Sequence, residues 1–341
     1  YFKKALSLDP DFFPAYNNLA LSQKAMGNTD EARDTWTRAL AIKPDFVDAL
    51  NNLGESFFQL EDMDSAVKYF HQALNLQLDN VDVLNNLGLV CDKKGERGRA
   101  LNYFDQALSI NVNFVPALCN KGAVLMKQGD LDAAIANLRA ALEIDPLNAH
   151  AHNNLGNALK KQDRFLEAIE SYQTCLDILP DLASVHNNLG MAKSCIGDTQ
   201  GALYSYERAS QLSTDNSSAL SNIANLLFDD GEVKRAEEKY REAIAADPAN
   251  RRAWDNLSSA LKLKCQRSSL ILDFLKSQPA DPSCQISSTN LSILKYRLAL
   301  GGPFAHDSLK GAIDRLSEVV KSTLPNPYKP SKNLQSIRKN S

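Results

Sequence analysis

The stretch HNNLG stands at residues 152–156 and again at 186–190, and the related stretch LNNLG stands at 50–54 and 84–88. These stretches start 34 residues, or a multiple of 34, from one another. The second Asn of the stretch recurs at this interval through eight copies, namely Asn18, Asn52, Asn86, Asn120, Asn154, Asn188, Asn222 and Asn256. A fixed period of roughly 20–50 residues is typical of a solenoid, in which stacked units share a continuous core.

Other columns of residues follow the same period. Small residues recur at Ala20, Gly54, Gly88, Gly122, Gly156, Gly190, Ala224 and Ser258. Large rings recur at Trp36, Phe70, Phe104, Tyr172, Tyr206 and Tyr240, and Leu138 takes this place in the fourth copy. We expect the small residues to let neighbouring helices approach closely, with the rings filling the space between them.

Each unit is predicted to contain two helices. The first helix, such as 149–162, ends at a turn residue, and the second, such as 166–179, carries apolar residues at helical spacing. The predicted turn residues are Gly27, Gly95, Gly129, Asp163, Gly197 and Gly231. Pro closes several units, at positions 44, 146, 180, 248 and 282, because it does not continue a helix.

This pattern resembles the tetratricopeptide repeat in its length, its helix–turn–helix order, its small and ring columns and its closing Pro. The resemblance covers about residues 1–284 and implies an all-α fold, a right-handed superhelical α-solenoid with the first helices on its concave face. We interpret 1–12 as the second helix of a truncated repeat, 13–250 as seven repeats and 251–284 as a degenerate eighth. The chain is therefore expected to be a fragment.

The 34-residue rhythm stops after residue 284. Residues 285–325 are predicted to form two helices that cap the end of the solenoid. A partner-binding helix and the entry to a further domain are the alternatives for the same residues. Residues 326–341 are predicted to be a polar linker or tail.

Composition excludes several classes of function. The chain of 341 residues carries a net charge of −3, so it lacks the general positive charge that binds nucleic acid or anionic membranes. No apolar run approaches the roughly 20 residues of a membrane span. The six cysteines form no CxxC pair and no Cys/His cluster, which favours free thiols, a reducing cytoplasmic location, and no metal or cofactor.

The Asn column is the candidate functional site. An Asn amide both donates and accepts hydrogen bonds, which suits the backbone of an extended peptide. First helices about 10 Å apart would meet an extended chain once in about three residues. The column resembles the Asn ladder on the concave face of the tetratricopeptide arm of O-linked N-acetylglucosamine transferases, which implies peptide binding by all eight residues. The alternative is that the Asn side chains bind an adjacent helix.

The neighbouring column is a weaker candidate, and it is interpreted as groove-lining or solvated. It comprises Asn17, Asn51, Asn85, Cys119, Asn153, Asn187, Ser221 and Asp255. Neither column contains Lys or Arg, which argues against a clamp for a C-terminal carboxylate.

We therefore predict a non-enzymatic scaffold that binds a protein or an extended peptide. The alternative is the substrate-recruiting arm of a larger transferase whose catalytic domain is outside this sequence. The oligomeric state is left open.

Overall fold

The structure is a computed structural model that describes residues 2–213 and 215–262. The predicted capping helices at 285–325, the tail at 326–341 and residues 263–284 of the predicted eighth repeat lie outside the described residues.

Fifteen helices have both ends within the described residues. The first helices of successive pairs are α2 (Phe13–Ala25), α4 (Val47–Gln59), α6 (Val81–Lys93), α8 (Val115–Gln128), α10 (Ala149–Lys161), α12 (Ala183–Cys195) and α14 (Ser217–Asp229). The second helices are α3 (Thr29–Ile42), α5 (Met63–Leu76), α7 (Arg97–Ile110), α9 (Leu131–Ile144), α11 (Phe165–Ile178), α13 (Thr199–Leu212) and α15 (Val233–Ala246). A further helix, α1 (Phe2–Leu8), precedes them, and residues 251–262 are also helical. The predicted all-α class is confirmed.

The chain divides into two compact units. Unit 1 comprises the described residues up to Pro180 and contains α1 to α11, and unit 2 comprises the described residues from Asp181 onward and contains α12 to α15. Within each unit, every first helix packs against the second helix that follows it, and each second helix packs against the next first helix. The helix–turn–helix order predicted from the repeat is therefore confirmed.

The small and ring columns meet inside each pair. A Cβ atom built on Gly156 would lie 2.6 Å from the Cε1 atom of Tyr172, and one built on Gly54 would lie 2.6 Å from Cε1 of Phe70. Real Cβ atoms do not approach a ring this closely, so the first helix reaches the second only because the side chain is absent. The rings of Phe70 and Tyr172 are almost completely buried, as the columns predicted.

The turn within each pair requires a left-handed backbone conformation at one residue. Gly129 has a φ of +92°, and the four other glycines of the predicted turn column also have positive φ. Asp163 takes the same place with a φ of +60°, at a steric cost that a glycine avoids. Glu61, at φ +60°, does the same in a copy where the sequence had indicated no turn residue.

Unit 1 curves toward its first helices. Helix α4 contacts α6, α6 contacts α8, and α8 contacts α10, whereas successive second helices of the described part of unit 1 make no contact of this extent. The first helices therefore lie closer together than the second helices, which places them on the inner face of unit 1. We call the exposed side of these helices the inner face.

Candidate functional site

The eight Asn residues of the ladder occupy one position on successive first helices. Unit 1 carries five of them, on α2, α4, α6, α8 and α10, and unit 2 carries three, on α12, α14 and the helical residues 251–262. Asn18 is exposed, and the other seven, Asn52, Asn86, Asn120, Asn154, Asn188, Asn222 and Asn256, are half-buried. In unit 1 they lie on the inner face.

Three ladder residues of unit 1 donate a hydrogen bond to the preceding repeat. The Nδ2 of Asn52 lies 3.1 Å from the Oδ1 of Asn17, and the Nδ2 of Asn120 lies 2.9 Å from the Oδ1 of Asn85. Asn86 donates in the same way to Asn51, over 3.0 Å. The acceptors are the first Asn of the preceding Asn-Asn pair. The doubled Asn thus joins repeats, because one amide accepts and the next one donates.

Unit 2 follows the same arrangement with one change. The Nδ2 of Asn222 lies 2.9 Å from the Oδ1 of Asn187. Ser221 stands where the next acceptor is expected, and the Nδ2 of Asn256 instead lies 2.9 Å from the Oδ1 of Asn225, one turn further along α14. Five ladder residues therefore donate a side-chain N–H to an adjacent first helix, as the alternative interpretation of the ladder expected. They are Asn52, Asn86, Asn120, Asn222 and Asn256. The acceptor column is not simply solvated, since Asn85 is buried.

Asn154 breaks the pattern. The residue that corresponds to its acceptor is Cys119, which is buried and carries no amide. Within the described residues Asn154 has no hydrogen-bond partner, although its side chain lies half-buried on the inner face. Burial raises the pKa of the Cys119 thiol to about 11, so this side chain stays uncharged near neutral pH.

Two of the large rings donate hydrogen bonds to Asn side chains of the first helices. Trp36 donates its indole N–H to Asn17 over 2.9 Å, so this Oδ1 accepts both from Trp36 and from Asn52. The hydroxyl of Tyr172 donates to Asn157 over 2.8 Å. The phenolic pKa of Tyr172 is raised by burial, and the residue therefore acts as a neutral donor. The polar inner face is thus anchored to the core.

Two charged side chains on the inner face are absent from the predicted site. Lys24 and Glu55 form an ion pair across two repeats, with 3.1 Å between Nζ and Oε2. The Oε1 of Glu55 also accepts from Asn86 over 3.3 Å. The sequence signal that could have found this ion pair was Glu55, the one charged residue in its column. The other residues of the column are Leu21, Leu89, Ala123, Asn157, Met191, Asn225 and Ser259.

Two lysines at the ends of first helices form ion pairs with carboxylates of the preceding repeat. The Nζ of Lys127 lies 2.6 Å from Asp92, and that of Lys93 lies 3.0 Å from Glu61. Such half-exposed pairs stabilise the fold weakly, by up to about 1 kcal/mol each. They do leave these cations less available to a ligand carboxylate, in line with the sequence argument against a carboxylate clamp.

The histidines of the described helices do not gather into a metal site. His152 lies within 3.0 Å of the carbonyl oxygen of Pro146, through its Nε2 atom. No group of three or more potential metal ligands occurs among the residues that the structure describes. The described helices also include none with the length and apolar character to cross a bilayer.

Models of the tetratricopeptide repeat match most of the described sequence. Two of them match residues 45–111 and 147–215, and residues 24–61 and 122–163. Two others match residues 1–34 and 197–261. No curated protein matches the chain at a significant level.

Solved structures with a similar fold are tetratricopeptide solenoids or proteins of that architecture. The Cut9–Hcn1 hetero-tetramer of the APC/C is 18% identical, with a TM-score of 0.65, over 76% of this chain and 51% of that chain. PilF of Pseudomonas aeruginosa is 19% identical, with a TM-score of 0.56, over 62% of this chain and 97% of that one. A tetratricopeptide repeat protein of Parabacteroides merdae is 16% identical, with a TM-score of 0.55, over 73% and 98%. These likenesses concern the fold alone.

Tetratricopeptide repeats are in general non-catalytic modules of protein interaction, which makes this array a protein-interaction scaffold. From its repeat pattern, its helix pairs and these matches, the chain belongs to the tetratricopeptide-repeat family.

Proposed function

We propose that the inner face of unit 1 binds an extended segment of a partner protein, with Asn154 as the principal hydrogen-bonding residue. The observation that carries the proposal is the amide of Asn154. It has no hydrogen-bond partner among the described residues, whereas Asn52, Asn86 and Asn120 of the same row each bind the preceding repeat. A half-buried amide gains most from a ligand when no intramolecular partner competes for it.

The other ladder residues of unit 1 support this binding in a second way. Asn52 and Asn120 each use one N–H to bind the preceding repeat, which fixes the plane of the amide. Each retains an Oδ1 acceptor that has no hydrogen bond within the described residues. Oriented acceptors at a spacing of about 10 Å suit the N–H groups of an extended backbone, at about three residues per repeat.

Contacts of this kind recognise the backbone of the ligand more than its side chains. A suitable probe is a peptide selected by phage display against the full 341-residue chain, labelled with fluorescein and measured by fluorescence anisotropy. We expect N-methylation of a backbone amide at the bound centre to weaken binding at least tenfold. We expect most single side-chain changes to have smaller effects.

Two variants test the role of Asn154 directly. Asn154→Ala removes the amide, and Cys119→Asn supplies the acceptor that the preceding repeat lacks. We expect each variant to weaken binding of the probe several-fold. Asn154→Ala removes the amide that binds the ligand, and Cys119→Asn engages that amide in a hydrogen bond to residue 119. Asn102→Ala is the matched control, since Asn102 is exposed on the second helix α7. Equal affinity for Asn154→Ala and the parent protein would contradict the proposal.

A further inference from the structure

A second surface of unit 1 lies where each second helix passes to the next first helix. Because the first helices run parallel to one another, these connections all lie along one edge of unit 1. Three consecutive connections form what we call the loop patch, residues 75–82, 109–116 and 143–150. The loop patch includes the first residues of α6, α8 and α10, and the ladder residues of these helices lie about one turn further along.

The loop patch exposes aliphatic side chains in every connection. Leu78, Val112 and Leu147 have exposed fractions of 75%, 72% and 73%. Leu76, Ile110 and Ile144 lie beside them and are also exposed. These six exposed aliphatic residues lie in three consecutive loops, and soluble proteins usually keep a concentration of exposed apolar side chains for an interaction.

Two of these residues replace the Pro of the repeat. Pro44 and Pro146 close their repeats at the positions that Leu78 and Val112 occupy in theirs. In both kinds of loop, the residue before this position has the extended backbone conformation that precedes Pro. Gln77, before Leu78, has φ −141° and ψ 91°, and Lys43, before Pro44, has φ −130° and ψ 91°. The fold therefore does not require Leu78 or Val112.

The charge of the loop patch has one sign. It contains the carboxylates Asp79, Asp82, Glu143 and Asp145 and contains no Lys or Arg. None of the four forms an ion pair with a described residue. Apolar side chains within a field of unpaired carboxylates complement a segment that carries aliphatic residues together with Lys or Arg. Anionic lipid and nucleic acid are repelled by the same charge.

The aliphatic residues of the loop patch also favour one conformation of its partner. The aliphatic residues offer no hydrogen bond to the backbone of a buried extended chain, whereas an α-helix satisfies its own backbone. Seven residues of helix rise about 10.5 Å, close to the spacing of about 10 Å between repeats. A helix with an apolar residue every seven positions would therefore meet one loop after another.

We propose that the loop patch is a docking site for a cationic amphipathic helix of a partner protein. The helix lays its apolar stripe across Leu78, Val112 and Leu147, and its flanking Lys or Arg residues face Asp79 and Glu143.

The test uses a synthetic peptide of three heptads, with two Leu per heptad on one face and Lys on both flanks. Its twin carries Glu in place of Lys. Binding to the full chain is measured by fluorescence anisotropy at low and at moderate salt. We expect the Lys peptide to bind, its affinity to fall as salt rises, and the Glu peptide to bind at least tenfold more weakly.

The critical variant is Leu78→Pro combined with Val112→Pro, which restores the residue of other repeats and is expected to fold. We expect at least a tenfold loss of affinity for the Lys peptide. Asp79→Lys is expected to weaken binding as well, and Asn102→Ala on the exposed side of α7 is the control that leaves it unchanged.

Several results would overturn the proposal. They are equal binding of the Lys and Glu peptides, no binding of either, or unchanged affinity in the double Pro variant. Concentration-dependent dimerisation of the parent chain that the double Pro variant abolishes, seen by sedimentation, would assign the loop patch to a second copy of this chain instead.

Discussion

At the scale of single residues, the doubled Asn is the most informative feature of this chain. The eight-fold recurrence could be read from the sequence, and so could the suitability of an amide for binding a peptide. The direction of the hydrogen bonds between Asn residues could not be read from the sequence, because it depends on how neighbouring first helices are placed. The structure shows that Asn85 and its equivalents accept while Asn120 and its equivalents donate. The role of Cys119 therefore becomes visible only across two repeats.

Asn120 and Asn154 are predicted to differ in their effect on stability. Asn120→Ala leaves the buried Oδ1 of Asn85 without its donor, and we expect it to lower the free energy of unfolding by about 1–3 kcal/mol. Asn154→Ala removes no intramolecular bond among the described residues and is expected to change it by less than about 0.5 kcal/mol. Urea unfolding followed by circular dichroism measures both. Equal losses would show that Asn154 has a structural role of its own.

At the scale of the helix pair, periodicity predicted most of what is observed. The small and ring columns predicted which side chains meet, and Gly156 and Tyr172 do meet. The turn column predicted turns at Gly129 and Asp163, and both residues have positive φ there. It missed Glu61, because a Glu carries no sequence signal for a left-handed conformation. The Lys24–Glu55 ion pair was also missed, since long side chains that meet across repeats depend on the curvature of the stack.

Gly156→Val tests the close approach within a pair. The valine side chain would overlap the ring of Tyr172, and we expect a loss of about 1–3 kcal/mol in the free energy of unfolding. The matched control is Gly98→Val on α7, where no atom lies within 4 Å of a built Cβ. The control should cost less than about 0.5 kcal/mol in a parallel denaturant titration. A Gly156→Val protein as stable as this control would mean that the helices separate without cost.

Leu78→Pro tests the connection between pairs. Leu78 donates no backbone hydrogen bond within the described residues, and Gln77 already has the extended conformation that precedes Pro. The substitution mainly restricts the unfolded chain, so we expect it to raise the free energy of unfolding by about 0.4–1 kcal/mol. Thermal and urea melts of the single variant provide the measurement. A loss of more than about 1 kcal/mol would show that the exposed Leu side chain stabilises the fold.

At the scale of the whole molecule, stability is distributed along a one-dimensional array. Each pair of unit 1 packs only against its neighbours in sequence, and the core consists of several local clusters rather than one centre. Helix propensity, small columns and turns could be predicted for each repeat separately. The curvature of unit 1 could not be predicted from single repeats, because it follows from small differences between the contacts of successive first helices and those of successive second helices.

Damage to one pair is therefore predicted to remain local. In Gly156→Val, we expect amide hydrogen exchange to accelerate in α10, α11 and the adjacent α9, because these helices share the altered contact. Exchange in α2 and α3, four repeats away, should match that of the parent protein. Exchange measured by mass spectrometry on peptic fragments resolves the two regions. Uniform acceleration through unit 1 would indicate a single cooperative block.

The bond from the second Asn of one repeat to the first Asn of the preceding one makes the modules interchangeable. Any module with an accepting amide at the first Asn position can be followed by any module with a donating amide at the second, so whole 34-residue blocks can be duplicated or excised without loss of the bond between repeats. Excision of residues 115–148 would place Asn154 beside Asn85, which would give it the acceptor that Cys119 denies it. A gene of this kind can thus open or close a binding position by changing the order of its modules, with no substitution at the position itself.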